Sequence, residues 1–108
     1  MGNIDFQVVM TTLKEGVIVL ASTTVQNYGN EAKSDGLKLL DSLTTDIVAW
    51  KQNLVTGKMS AADVEFLIMA KKELIEMNAL KQTGLGHIKI DEFKNSLLQL
   101  VVKTIISL

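Results

Sequence analysis

The chain of 108 residues contains no cysteine, no arginine and no proline. Without cysteine it can form no disulfide, no thiolate zinc site, no iron–sulfur cluster and no cysteine nucleophile. Without arginine it lacks the planar guanidinium that reads guanine edges and clamps phosphates through paired hydrogen bonds. Because proline is absent, we expect long helices that end at glycines and side-chain caps.

The chain also has no large excess of charge of one sign, because its eleven lysines nearly balance its twelve Asp and Glu residues and the net charge is −1. A nearly neutral chain has no field that would collect nucleic acid or anionic lipid. The longest apolar-rich stretches, 16–25 and 97–108, are shorter than the roughly 20 residues that a membrane span needs, and no signal-peptide pattern opens the chain. We predict no nucleic-acid partner and no membrane span, and we expect a cytoplasmic location.

Groups that could carry out chemistry are sparse. His87 is the one histidine, and with Asp91 four residues later it supplies two ligands where a zinc site needs three or four. Glu73 and Glu76 lie one helical turn apart, but no Glu-x-x-His motif accompanies them, and they lie opposite the apolar positions of their segment. The sequence predicts a protein that is not an enzyme, with no catalytic residue, no metal and no cofactor.

Apolar residues make up 47% of the chain, and over most of its length they recur at spacings of three and four, the period of amphipathic α-helices. Ser60 is expected to cap one helix, with Asp63 in its first turn, and Gly57 and Gly84 are expected at helix C-termini. We predict a single all-α domain over residues 1–108, a small bundle of three to four helices that packs further in an oligomer. The helices are expected at 4–27, 31–55, 60–83 and 88–107.

Residues 6–25 admit a second interpretation. Two runs rich in β-branched and apolar residues flank Gly16 and could pair as a β-hairpin. Against a hairpin, the apolar positions also fit helical spacing, and no later segment offers strands that would complete a sheet. We prefer the helix, although Gly16 in a helix interior costs about 1 kcal/mol relative to alanine.

Two starts are compatible with the second predicted helix. The pair Gly29-Asn30 commonly forms a turn, but the apolar spacing continues through it, which allows a start nearer residue 24. Gly29, Ala32 and Gly36 share one face of this segment. Such a stripe of small residues indicates a close crossing with another helix or another subunit, and the alternative is a glycine linker without a packing role.

The last predicted helix carries more apolar surface than one buried stripe can use. Beyond Asn95, apolar side chains cover most of its circumference, and a chain this short has few other helices to cover them. We therefore expect a homo-oligomer, a dimer or larger. The candidate interface combines this helix with the stripe of small residues: Gly29, Ala32, Gly36, Leu98, Val101, Val102, Ile105 and Ile106.

The sequence combines more apolar helix surface than its own core is expected to need with few side chains that could carry out chemistry. This combination is typical of a protein that binds other proteins. We predict a non-enzymatic interaction or assembly module that self-associates through apolar helix faces, with a different protein as the other candidate partner. The first alternative is a membrane-surface protein whose last helix lies in the lipid interface, although Lys103 is nearly the only cation there. The four helical segments with a Gly-Lys-Met-Ser turn in mid-chain resemble, in architecture alone, small bacterial helical bundles such as bacteriocin immunity proteins. That resemblance implies an immunity-type function as a second alternative and supplies no site residues.

Self-association through the last helix has a direct test. Light scattering at micromolar concentration should give a mass above that of one chain. Val101→Asp should shift the oligomer toward monomer, because a carboxylate in an apolar interface loses its hydration. A wild-type mass equal to one chain would contradict the expectation.

Overall fold

The computed structural model describes residues 5–107, and every regular element in that range is helical. Two short 3-10 helices occupy Gln26–Tyr28 and Lys71–Leu74. The predicted all-α bundle is confirmed, and the β-hairpin alternative for residues 6–25 is wrong. The α-helices in chain order are α1 (Phe6–Thr24), α2 (Gly29–Val55), α3 (Ala61–Ala70), α4 (Asn78–Gln82) and α5 (His87–Ser107).

Short polar side chains and glycines set several helix ends. The Asp5 carboxylate accepts hydrogen bonds from two backbone N–H groups in the first turn of α1, at 3.1 and 3.2 Å. Ser60 and Asp63 each accept the other's backbone N–H at 3.1 Å, a reciprocal cap that opens α3. Gly57 and Gly84 follow α2 and α4 with φ of 78° and 84°, a conformation that favours glycine. The predicted caps at both ends are confirmed.

The first two helices meet at a sharp bend. α1 ends at Thr24, a few residues earlier than predicted, and its predicted first residue, Ile4, lies outside the described residues. The chain then turns by 120° before the long second helix. Because α2 begins at Gly29, the pair Gly29-Asn30 opens the second helix and does not break it.

The prediction of one continuous helix over residues 60–83 is wrong. α3 passes into a 3-10 helix, and the chain is extended at Ile75, with φ −86° and ψ 128°, before α4 begins. Met77 and Leu80 are fully buried. In one continuous helix they would lie roughly 120 to 180° around the axis from buried Ile68. The break therefore turns the chain so that both segments direct their apolar side chains into the core.

α5 is the central helix of the bundle. It packs on α1, α2 and α3, while α4 packs on α2. The expectation that the chain is too short to cover its last helix is wrong, because α3 covers α5 in addition to α1 and α2. The residues of α5 buried by these neighbours are Ile90, Phe93, Leu97, Leu98, Val101, Val102, Thr104 and Ile105.

Two glycines allow close helix approaches around α1. A Cβ atom added at Gly36 of α2 would lie 2.6 Å from Cγ1 of Val17 and 3.6 Å from Cδ2 of Leu97. A Cβ atom added at Gly16 would lie 2.7 Å from Cδ2 of Leu100 on α5. Nonbonded carbon atoms are normally about 3.5 to 4.0 Å apart. A side chain at Gly36 would therefore fit only if Val17 moved. The stripe of small residues on α2 is thus a close crossing with α1 of the same chain.

Gly36→Ala should lower the free energy of unfolding. Alanine favours a helix over glycine by about 1 kcal/mol, but Val17 is fully buried and stiff at χ1, so it cannot yield. We expect overpacking to cost about 1 to 3 kcal/mol, measured by urea unfolding. Gly29→Ala is the control, because its added Cβ would meet only a carbonyl oxygen of Ala21 at 3.8 Å. Equal midpoints for the two variants would contradict the close crossing.

Candidate interaction surface

The side of α3 that points away from the core is apolar. Leu74 is 76% exposed, Phe66 64% and Leu67 39%. Ala62 and Ala70 are exposed beside them. We call these five residues the α3 face. Contiguous exposed apolar side chains of this kind mark interaction sites on folded proteins.

The α3 face exists because α3 is apolar around most of its circumference. Asp63 and Glu65 are the only charged residues among its ten. Val64 and Ile68 are fully buried and hold α3 on the core. Phe66 is two residues from each of them, about 200° around the helix axis. The contacts that fold α3 against α5 therefore direct Phe66 outward.

Other exposed apolar side chains are more isolated. Val8, Ile18 and Val19 on α1 are 49%, 42% and 60% exposed, but exposed Thr12 and Glu15 separate Val8 from the other two. Ile88 is 75% exposed near the start of α5, where its sequence neighbours are exposed and polar. Single apolar side chains at a surface are normal. The α3 face is therefore the stronger candidate site.

A groove of about 420 Å³ borders the α3 face at Leu74. It runs between α2 and the 3-10 helix that follows α3, and Leu39 and Leu43 line it. The Lys71 Nζ atom lies 3.5 Å from the Asp46 carboxylate across it. Both side chains are more than a third exposed, so the pair contributes little stability. Most residues that line the groove are polar or charged, so the exposed apolar surface of the α3 face does not continue into it.

The two ends of the segment that carries the α3 face differ in charge. Asp63 and Glu65 lie in its first half, and both are exposed. Lys71 and Lys72 lie in its second half, with Glu73 as the acidic residue there. The first half therefore carries two negative charges, whereas in the second half Lys71 already pairs with Asp46 of α2.

Asp35 of α2 fixes the position of α4. It is 4% exposed, and its carboxylate oxygens accept the backbone N–H groups of Ala79 and Leu80 at 3.1 and 2.8 Å. These N–H groups have no partner within the helix, because they lie in its first turn. A side chain more than forty residues away in sequence thus caps α4 and holds it on α2.

Lys51 is a second buried charge that joins two helices. It is 5% exposed, and its ammonium donates a hydrogen bond of 2.7 Å to the backbone carbonyl of Ile105. That carbonyl belongs to the last turn of α5, where backbone oxygens lack helical partners and the helix dipole is negative. The contact ties the C-terminal ends of α2 and α5 together.

Most residues of the predicted interface lie inside the chain. Gly29 is half-buried and Ile106 is 42% exposed. For the rest, the prediction of an accessible surface is wrong, because α1, α2, α3 and α5 cover one another. Val101→Asp would place a carboxylate in the core, so it tests folding and not association. The buried residues of the set are Ala32, Gly36, Leu98, Val101, Val102 and Ile105.

The titratable residues singled out in the sequence do not form a cluster. His87 is exposed at the first residue of α5, and the Asp91 carboxylate lies 3.9 Å from the Lys94 ammonium. Glu73 and Glu76 are exposed, as expected for a solvated face. Over residues 5–107, no three His, Cys, Asp or Glu side chains converge to hold a metal ion. The absence of enzymatic activity stays a prediction.

Sequence reasoning missed the α3 face and both buried charges. The run AADVEFLIMA is apolar apart from Asp63 and Glu65, which resembles the property that drew attention to the last helix, and Phe66 lies in it. Asp35 is four residues before Leu39 and Lys51 is four residues after Ile47, so helical spacing places both on the buried side of α2.

Comparison with known proteins identifies no relative: the chain matches no protein-family model, no curated protein and no solved structure. Among the described residues, no single helix combines the length and apolar character that a membrane span requires. α1 and residues 26–55 meet those criteria only as a pair, and that pair is bent by 120°. The resemblance to bacteriocin immunity proteins therefore stays a resemblance of architecture.

Asp35→Ala should release α4 from α2. Loss of two charged hydrogen bonds to buried N–H groups should cost about 1 to 3 kcal/mol, and the amides of Ala79 and Leu80 should exchange faster. Asp35→Asn keeps an acceptor and should lose less. Asp41→Ala, at an exposed site on the same helix, should stay within about 0.5 kcal/mol of wild type. Unchanged amide exchange in Asp35→Ala would contradict the capping role.

Proposed function

We propose that this protein is a small helical interaction module that associates with protein through the α3 face, including with other copies of itself. The proposal keeps the expected class, a non-enzymatic assembly protein, and places its surface on α3 instead of α5. A cytoplasmic location stays a sequence-based prediction. The immunity-type function stays an alternative that rests on architecture alone.

The observation that carries the proposal is the exposure of two large apolar side chains, Phe66 on α3 at 64% and Leu74 at the end of the following 3-10 helix at 76%. Full burial of such a side chain is worth about 1.5 to 3 kcal/mol, so covering both would repay part of the cost of association. One helix face is small beside a standard protein interface. We therefore expect association in the weak, reversible range.

Lipid is the competing occupant of the α3 face. A helix that lies in a membrane interface usually has a polar side rich in lysine or arginine. Here Asp63, Glu65 and Glu73 accompany Lys71 and Lys72, so three of the five nearby charges are negative. Acidic side chains disfavour approach to anionic lipid. The mixed charges support a protein partner over a membrane surface.

Phe66→Ser should weaken self-association without unfolding the protein, because the Phe66 side chain is mostly outside the core. Sedimentation velocity of the wild type from about 1 µM to about 1 mM, the range of weak affinities, should show a concentration-dependent increase in mass. The variant should remain monomeric over most of that range. Val19→Ser is the matched control, since Val19 is 60% exposed on a different helix, and it should behave as wild type.

Three outcomes would contradict the proposal. If the wild type is monomeric throughout and a pull-down recovers no partner, the α3 face does not bind protein. If the wild type floats with neutral or anionic liposomes and Phe66→Ser does not, the face binds lipid instead. Equal effects of the Phe66 and Val19 variants would show that general surface polarity, and not this face, controls association.

A further inference from the structure

We propose that Met69 of α3 is a reversible oxidation site, at which a hydroperoxide transfers one oxygen atom to the thioether sulfur and the Gln99 amide of α5 then donates to that oxygen. The chain has five methionines and no cysteine. Oxidation and reduction of sulfur in this protein can therefore occur only at a thioether. The site is independent of the proposed binding of protein, because it lies at the contact between α3 and α5.

Three of the four methionines in residues 5–107 are accessible to a small oxidant. Met10, Met59 and Met69 are partly buried, whereas Met77 is fully buried. Because the oxidation of a sulfur depends on its exposure, a hydroperoxide can reach the first three while the protein is folded. Met77 becomes accessible only when the surrounding structure opens.

A side-chain amide distinguishes Met69 from the other accessible methionines. The Gln99 Nε2 atom donates to the Met69 sulfur at a distance of 3.5 Å. The corresponding distance from Asn53 Nδ2 to the Met59 sulfur is longer, 3.9 Å. Within residues 5–107, no side chain donates to the sulfur of Met10. A thioether is a weak acceptor, so the Gln99 amide gains little from this contact in the reduced protein.

The oxidation is a two-electron step that balances with hydrogen peroxide as the oxidant. A lone pair of the Met69 sulfur attacks one peroxide oxygen, so that an S–O bond forms and the O–O bond breaks. The second oxygen leaves as hydroxide and takes the proton of the transferred oxygen, which gives water and the sulfoxide. Sulfur is oxidised by two electrons and the peroxide is reduced. Methionine sulfoxide reductases restore the thioether.

Gln99 determines what the new oxygen does to the contact between α3 and α5. Met69 packs against the core, where a polar oxygen without a donor lowers stability. The Gln99 amide nitrogen already lies beside the sulfur, so a small rotation of either side chain brings the oxygen to about 2.9 Å from it. The oxidised protein therefore keeps α3 on α5.

Treatment of the folded protein with hydrogen peroxide tests the order of oxidation. Tandem mass spectrometry of peptides should find the added oxygen at Met69 at least about tenfold faster than at Met77, because Met77 must wait for the structure to open. Methionine sulfoxide reductase added to the folded, oxidised protein should remove the oxygen from Met69.

Thermal unfolding, followed by circular dichroism before and after oxidation, tests the role of Gln99. Each protein carries Met10→Leu and Met59→Leu, so that Met69 is the accessible methionine of residues 5–107. Oxidation should change the midpoint little when Gln99 is present. In Gln99→Glu, which keeps the size of the side chain and removes the donor, oxidation should lower the midpoint by at least about 4 °C. Gln52→Glu adds the same charge at an exposed site on α2 and should respond as the protein with both glutamines does.

Four outcomes decide the proposal. Early oxidation of Met69, with a fall in the midpoint confined to Gln99→Glu, supports it. Oxidation of Met69 as slow as that of Met77 overturns it, since the sulfur is then not accessible in the folded protein. An equal fall in the midpoint with and without the Gln99 amide also overturns it, because the amide then does not hold the oxygen. Sulfoxide at Met69 that the reductase cannot remove overturns the reversibility of the site.

Discussion

The fold depends on α5 being apolar around most of its circumference. A helix of this kind is stable in water only when neighbours cover it on several sides, and α1, α2 and α3 do so here. The close approaches at two glycines serve that requirement, because Leu100 of α5 lies in the space that Gly16 leaves and Val17 of α1 lies in the space that Gly36 leaves. Three helices arranged around a fourth explain how a chain of 108 residues hides so apolar a segment.

Two buried charges complete the arrangement by satisfying backbone groups at helix ends. Lys51 donates to the last turn of α5, and Asp35 accepts from the first turn of α4. Each bridges elements far apart in sequence, so each specifies one arrangement of helices as well as adding stability. Asp35 has the larger structural consequence, because it holds the part of the third segment that lies beyond the break at Ile75.

Helical spacing predicted the long helices and several of their caps, since these depend on neighbours in sequence. It did not predict the break in 60–83, because Val64, Ile68 and Ile75 keep one phase and only the burial of Met77 and Leu80 changes it. The candidate interface failed for a related reason. The count of apolar residues correctly identified extra apolar surface on α5. Whether that surface packs against the same chain or against a second chain depends on where α3 lies.

Folding alone does not require the apolar character of the α3 face. Val64 and Ile68 already bury the inner side of α3, and Ser60 with Asp63 already caps its start. A polar residue in place of Phe66 would leave these contacts intact and would remove exposed apolar surface that favours aggregation. An exposed phenylalanine beside exposed leucines is therefore a cost to the isolated chain. Under the proposed function, a second surface that covers the face would offset that cost, and association would account for side chains that the core does not use.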